Sequence, residues 1–109
     1  MIKYKNTLEN GSTRVIVFKE HDDWYAVALE LNIVESGKTS QEATSLLFEA
    51  LSGYIEVVRK TKADLSVLNQ ETDKEYEDMW QRLQERKKLK SKQISFFGEY
   101  SLCGSFMPA

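Results

Sequence analysis

Residues 37–58 read GKTSQEATSLLFEALSGYIEVV, and this stretch decides the fold. Gly37-Lys38 breaks the pattern before it. Thr39-Ser40-Gln41-Glu42 has the form of a capping box, in which the Thr39 hydroxyl accepts from the Glu42 amide and the Glu42 carboxylate reaches back. The apolar positions that follow are Ala43, Leu46, Leu47, Ala50, Leu51, Tyr54, Ile55 and Val58. Steps of three and four without a miss predict a helix over about 40–60. Gly53 lies inside it, at a cost of about 1 kcal/mol relative to Ala. Close packing and mere tolerance are both open explanations for it.

Upstream the period changes from 3.6 to 2. Residues 13–20 (TRVIVFKE) and 24–31 (WYAVALEL) are strand-like, with the turn-like His21-Asp22-Asp23 between them. In the second run Tyr25, Val27, Leu29 and Leu31 share one face, opposite Trp24, Ala26, Ala28 and Glu30. Residues 32–36 suit a further short strand, which gives a meander of three or four strands. Asn10-Gly11 is a hairpin signal after the mixed segment 2–8.

Downstream, residues 61–71 fit either a continued helix or a loop. Thr72-Asp73-Lys74-Glu75 repeats the capping-box form and opens an expected helix over 73–90, with Tyr76, Met79, Trp80 and Leu83 on one stripe. Its charges are sorted in the order that suits the helix macrodipole. Glu71, Asp73, Glu75, Glu77 and Asp78 come first; Arg86, Lys87, Lys88, Lys90 and Lys92 come last. Residues 93–102 alternate again as a last strand, with Ile94, Phe96, Tyr100 and Leu102 expected on one face and Ser95, Phe97, Glu99 and Ser101 on the other. The order β-β-β-α-α-β predicts an α+β fold, helices over one face of an antiparallel sheet of three to four strands plus a C-terminal strand. Residues 1–103 read as a single domain with the 73–90 helix as an insertion, and 104–109 as a frayed tail. Aromatics at Trp24/Tyr25 and Phe96/Phe97 fall on both sheet faces. Either the second helix covers the other face, or an oligomer or partner does.

Composition narrows the function. The 109 residues contain one His, one Cys and one Pro, with net charge −2 and pI near 5.5. One Cys forms no internal disulfide, and one His with one Cys builds no all-His/Cys zinc site. There is no phosphate loop, GxSxG or HExxH. No apolar run reaches the ~20 residues of a membrane span, and MIKYKNTLENG lacks a signal-peptide centre. His21 reads as an exposed turn residue. Glu20, Asp22 and Asp23 solvate a turn more readily than they hold a cation, and Cys103 lacks cationic neighbours. The expectation is a cytoplasmic, non-catalytic protein with no metal and no cofactor. Arg86, Lys87, Lys88, Lys90 and Lys92 are the one basic run, read first as a solvated helix end and second as a nucleic-acid contact.

Val15–Val58 resembles the HicB-like antitoxin family. The features that carry the resemblance are VIVFKEHDDWYAVALEL, then Gly37, Thr39, Glu42 and Ala43 in a G-x-T-x-x-E-A helix entry, then Ala50 and Tyr54. These residues serve turn, cap and core, so they signal a fold. The resemblance implies a β-β-β-α-β domain akin to a reduced RNase H fold without nuclease chemistry. It also implies dimers or larger homo-oligomers, and neutralisation of a small HicA-like mRNA interferase by binding. Two features depart from the family. The segment Glu30–Val34 lacks the frequent Pro and Gly-Cys, and residues 63–109 run helix then strand, the wrong order for a ribbon-helix-helix. The expected partner surface is Glu75, Glu77, Asp78, Phe97 and Tyr100. The alternative is an orphan oligomeric relative that binds nucleic acid through the basic run.

Overall fold

The computed structural model describes residues 5–85, 93–102 and 106–108. Three strands form an antiparallel meander: β1 (Ser12–Glu20), β2 (Asp23–Ala28) and β3 (Ile33–Gly37). The helix α1 (Ser40–Thr61) follows, then a 3-10 turn at Leu65–Leu68, a second helix α2 (Lys74–Gln84), and strands β4 (Gln93–Ser101) and β5 (Phe106–Pro108). Strand order in the sheet is β3-β2-β1-β4-β5. The chain is thus α+β, as its periodicities predict. β5 pairs with β4 through Gly98↔Pro108 and Tyr100↔Phe106, where a frayed tail was expected. Three residues carry little pattern of their own; a neighbouring strand gives them their hydrogen bonds.

α1 begins as its cap dictates. Thr39 is extended, and its hydroxyl accepts from the Glu42 amide at 3.0 Å. Gly37 is needed just before it, because a Cβ there would lie 2.9 Å from the Ala43 nitrogen and from Glu42 Cγ. Ala43, Leu47, Leu51, Ile55 and Val58 are buried against Val15, Val17, Ala26 and Ala28 of the sheet. Burying a Leu such as Leu47 or Leu51 contributes about 1.5–3 kcal/mol.

The two helices lie on opposite faces of the sheet, which corrects the expectation of one covered face. α2 packs Met79 and Trp80 on Ile16, Phe18, Val27 and Leu29, with Tyr76, Leu83 and Phe97 alongside. The second helix is therefore the cover for the second set of aromatics. Its start differs from expectation. Asp73, not Thr72, is the N-cap, without a side-chain cap bond, and Thr72 Oγ1 is buried with no hydrogen-bond partner among the described residues. α2 ends at Gln84 with Glu85 as C-cap; the remainder of the expected 73–90 helix lies outside the described residues.

Two facing errors share one cause, a break in strand alternation. In β4 the register slips from Val17↔Phe96 to Phe18↔Ile94, so Ser95 is an extra residue in a bulge. Ile94 then joins the α2 side, while Phe96 and Tyr100 stay on the α1 side. At the end of β2 the strand stops at Ala28, and Asn32 adopts φ +55°. Leu31 consequently packs with α1. Asn10-Gly11 makes no hairpin among the described residues. The buried Asn6 instead folds the segment, donating to the carbonyls of Ser12 and Leu68 and accepting from the Ser12 amide.

Candidate partner-binding surface

Any surface on α2 depends on what holds α2 to the sheet. Arg14 sits in β1, in register with Ile16 and Phe18, and so points toward α2. Its guanidinium donates to both Glu77 oxygens, the Nη2–Oε2 bond measuring 2.9 Å, and through Nε to Glu30 Oε2 at 2.6 Å. Glu30 is itself fixed by the Arg14 amide at 2.7 Å and the Thr13 hydroxyl at 3.2 Å. The guanidinium carbon also lies 5.6 Å from the Trp80 ring centre, and Trp80 meets Phe97 edge-on at 5.6 Å. Cation, two carboxylates and indole thus lock one helix, one strand and one turn. The hydrogen bond to Arg14 holds the Glu77 carboxyl below its usual range. The same bond raises Arg14 against the opposing effect of burial, helped by the charge of Glu30. Burial raises the Tyr76 phenol, with Glu75 and Asp73 adding to it.

The outward surface of α2 and its entry is acidic. Glu71, Asp73, Glu75, Asp78 and Glu85 are exposed, against exposed Lys74 and Arg82. A shallow depression of about 290 Å³ between Asp78, Gln81, Arg82 and Glu85 marks its C-terminal half.

The expected partner residues therefore divide. Glu75 and Asp78 lie on the exposed acidic surface. Glu77 is half-exposed, and both of its oxygens accept from Arg14, so its charge is already paired within the chain. Phe97 is half-buried beneath Trp80. Tyr100 is 6% exposed and meets Phe48 of α1 in a tilted ring contact at 5.1 Å, so it belongs to the core. Gly37, Thr39, Glu42 and Ala43 come together as the turn and cap of α1. Arg86, Lys87, Lys88, Lys90, Lys92 and Cys103 lie outside the described residues.

Glu20, Asp22 and Asp23 do not form a cation cradle. Asp23 pairs with Lys38 at 2.8 Å, and among the described residues no three His, Cys, Asp or Glu side chains gather for a metal. His21 takes φ +58° in the β1–β2 turn. No described helix is long and apolar enough to cross a membrane.

Sequence reading missed the Arg14–Glu30–Glu77–Trp80 node. A signal for it exists: Arg14 is the one cation inside the apolar run TRVIVF, and it has the parity of Ile16 and Phe18. It missed Asn6 as well. Asn6 and Asn69 clasp each other, the Asn6 amide donating to Asn69 Oδ1 at 2.9 Å and Asn69 Nδ2 to the Asn6 carbonyl at 3.0 Å. Nothing local marks a pair 63 residues apart.

No family model, curated protein or solved structure matches the chain.

Proposed function

We propose that the chain is a non-catalytic, HicB-like binding protein that neutralises a small basic mRNA interferase of the HicA kind. The observation that carries this reading is the acidic outer surface of α2, with Glu71, Asp73, Glu75, Asp78 and Glu85 exposed on an element that Arg14 and Trp80 anchor to the sheet. A toxin that grips RNA presents cations, and a fixed acidic surface competes for them. Such complementarity acts mainly on encounter rate and partner choice. The capped β-β-β-α unit supports the reading further, since Gly37, Thr39, Glu42 and Ala43 serve as turn, cap and core where the resemblance puts them.

The test is co-expression. A small basic toxin of the HicA kind is induced alone and with the chain, following growth and messenger cleavage. Rescue by the wild type, weakened at least tenfold in binding by Glu75→Lys with Asp78→Lys, is the expected result. Unchanged binding by that double variant would remove α2 as the docking surface, and absence of any rescue would remove the antitoxin role.

A further inference from the structure

Asn10-Gly11, which makes no hairpin among the described residues, has a chemistry of its own. A peptide nitrogen can attack the side-chain amide of the asparagine before it. The attack is fastest where glycine follows, because no Cβ shields that nitrogen. The asparagines of the chain are Asn6, Asn10, Asn32 and Asn69, and the structure separates them. Asn6 is fully buried and its side chain is held by Ser12 and Leu68. The nitrogen after it, that of Thr7, donates to the Asn10 carbonyl at 2.7 Å. Both polar atoms of the Asn69 side chain are bonded, and the Gln70 nitrogen donates to the Glu30 carbonyl at 2.8 Å. Asn32 is exposed, but Ile33 follows it, and a branched Cβ crowds the nitrogen. Asn10 and Gly11 are both exposed. Among the described residues neither the Asn10 side chain nor the Gly11 nitrogen makes a hydrogen bond.

The fold also requires glycine at this place. Gly11 has φ +124°, and a Cβ on it would collide with Asn6 Oδ1 and lie 2.9 Å from Asn6 Cα. The residue that leaves Asn10 open to attack is therefore the one that the packing of Asn6 demands.

We propose that Asn10-Gly11 is a self-modification site, where deamidation releases the clasp that Asn6 makes with the start of β1 and with Leu68 and Asn69. The Gly11 nitrogen bonds to Asn10 Cγ and gives up its proton. The Cγ–Nδ2 bond breaks, and Nδ2 leaves with that proton as ammonia. The product is a five-membered succinimide. Water then opens the ring at one of its two carbonyls, giving aspartate or isoaspartate. No electrons change hands; one water enters and one ammonia leaves. Isoaspartate adds a carbon to the main chain, about 1.5 Å of path. The surroundings have no slack for it. The Gly11 carbonyl accepts from the Leu102 amide at 3.1 Å, and the Ser12 amide and carbonyl are both bonded to the Asn6 side chain. The added carbon shifts Gly11 and Ser12 against Asn6, which frees Asn6 from Asn69. Aspartate brings the same new charge without the added carbon.

Ageing the purified chain at about pH 8 and physiological temperature tests this, followed by peptide mass mapping, an isoaspartyl methyltransferase assay and amide exchange. Asn10 is expected to convert at least tenfold faster than Asn6, Asn32 or Asn69, with isoaspartate among the products. The Asn6 and Ser12 amides should then exchange at least tenfold faster than in fresh protein. Asn10→Gln, whose amide would have to close a six-membered ring, should keep its mass and its protection on ageing. Fresh Asn10→Asp, with the charge but not the carbon, should exchange like fresh wild type. Conversion of Asn10 no faster than that of the other asparagines, or aspartate without isoaspartate, overturns the modification site. Unchanged protection after conversion, or a fresh Asn10→Asp already loosened, overturns the release by the added carbon. No toxin takes part in this experiment, so its failure and that of the antitoxin reading are separate.

Discussion

Arg14 on β1 grips Glu77 on α2 with two guanidinium nitrogens while its third nitrogen holds Glu30. One cation thereby ties the meander to a helix that begins sixty residues later in the chain. The Arg14 side chain is 23% exposed and Glu77 47% exposed, so solvent screens part of the attraction. Glu77→Ala is expected to lower stability by about 1 kcal/mol, the upper end for partly exposed pairs. Arg14→Ala should cost more, about 2–3 kcal/mol, since it leaves Glu30 and Glu77 without their shared cation and removes the contact with Trp80. Urea unfolding of the two variants checks the order. Equal losses would mean that Glu30 and Trp80 draw nothing from Arg14.

The same pair sets an acid limb of stability. Arg14 lowers the Glu77 carboxyl in the folded state relative to its ordinary value near 4.5. Its contribution is therefore complete above the unfolded value and is lost as pH falls through the depressed folded value. The difference in unfolding free energy between wild type and Glu77→Gln should be largest near pH 7 and shrink below about pH 4. At the alkaline end the sign reverses in origin. Burial raises the phenols of Tyr54 and Tyr76, so their neutral forms stabilise the fold below pH 10 and that support is lost as pH rises through the raised values. A Glu77→Gln offset that is constant across the acid range would contradict the linkage.

Trp80 is 9% exposed and fills the space between α2, Phe97 and Arg14. Truncation to Ala should cost about 3–5 kcal/mol. An eleven-residue helix is marginal alone. Loss of its anchor should therefore release α2 and bare Ile16, Phe18 and Val27, seen as binding of a hydrophobic dye and faster amide exchange in 74–84. Trp80→Phe should recover part of both.

Thr39 and Thr72 look alike in sequence, each opening a capping-box pattern, but they should respond with opposite sign. Thr39→Ala removes the hydroxyl that accepts from the Glu42 amide and should cost about 1 kcal/mol. Thr72 Oγ1 is buried without a partner among the described residues, so Thr72→Val should be neutral or stabilising by up to about 1 kcal/mol. Thermal unfolding of the two variants decides this; a destabilised Thr72→Val would reveal a bond to that hydroxyl.

The sequence alone determined the elements whose pattern is local. The 3.6-residue period from Ala43 to Val58 and the Thr39 cap fixed α1, because helix hydrogen bonds and caps join residues a few positions apart. Alternation fixed β1, β2 and most of β4, and the stripe Tyr76–Leu83 fixed which side of α2 is buried. Tertiary structure decided the rest. Which sheet face α2 would cover, the Ser95 bulge that turned Ile94 over, and the pairing that made β5 a strand all depend on partners far along the chain. So does the division of the α2 carboxylates. Glu75, Glu77 and Asp78 are equivalent acids in a row of letters, and the arrival of Arg14 from β1 made Glu77 an anchor and left Glu75 and Asp78 on the exposed surface. Charge can be read from sequence, but which opposite charge lies within hydrogen-bond reach is set by the packing of the whole chain.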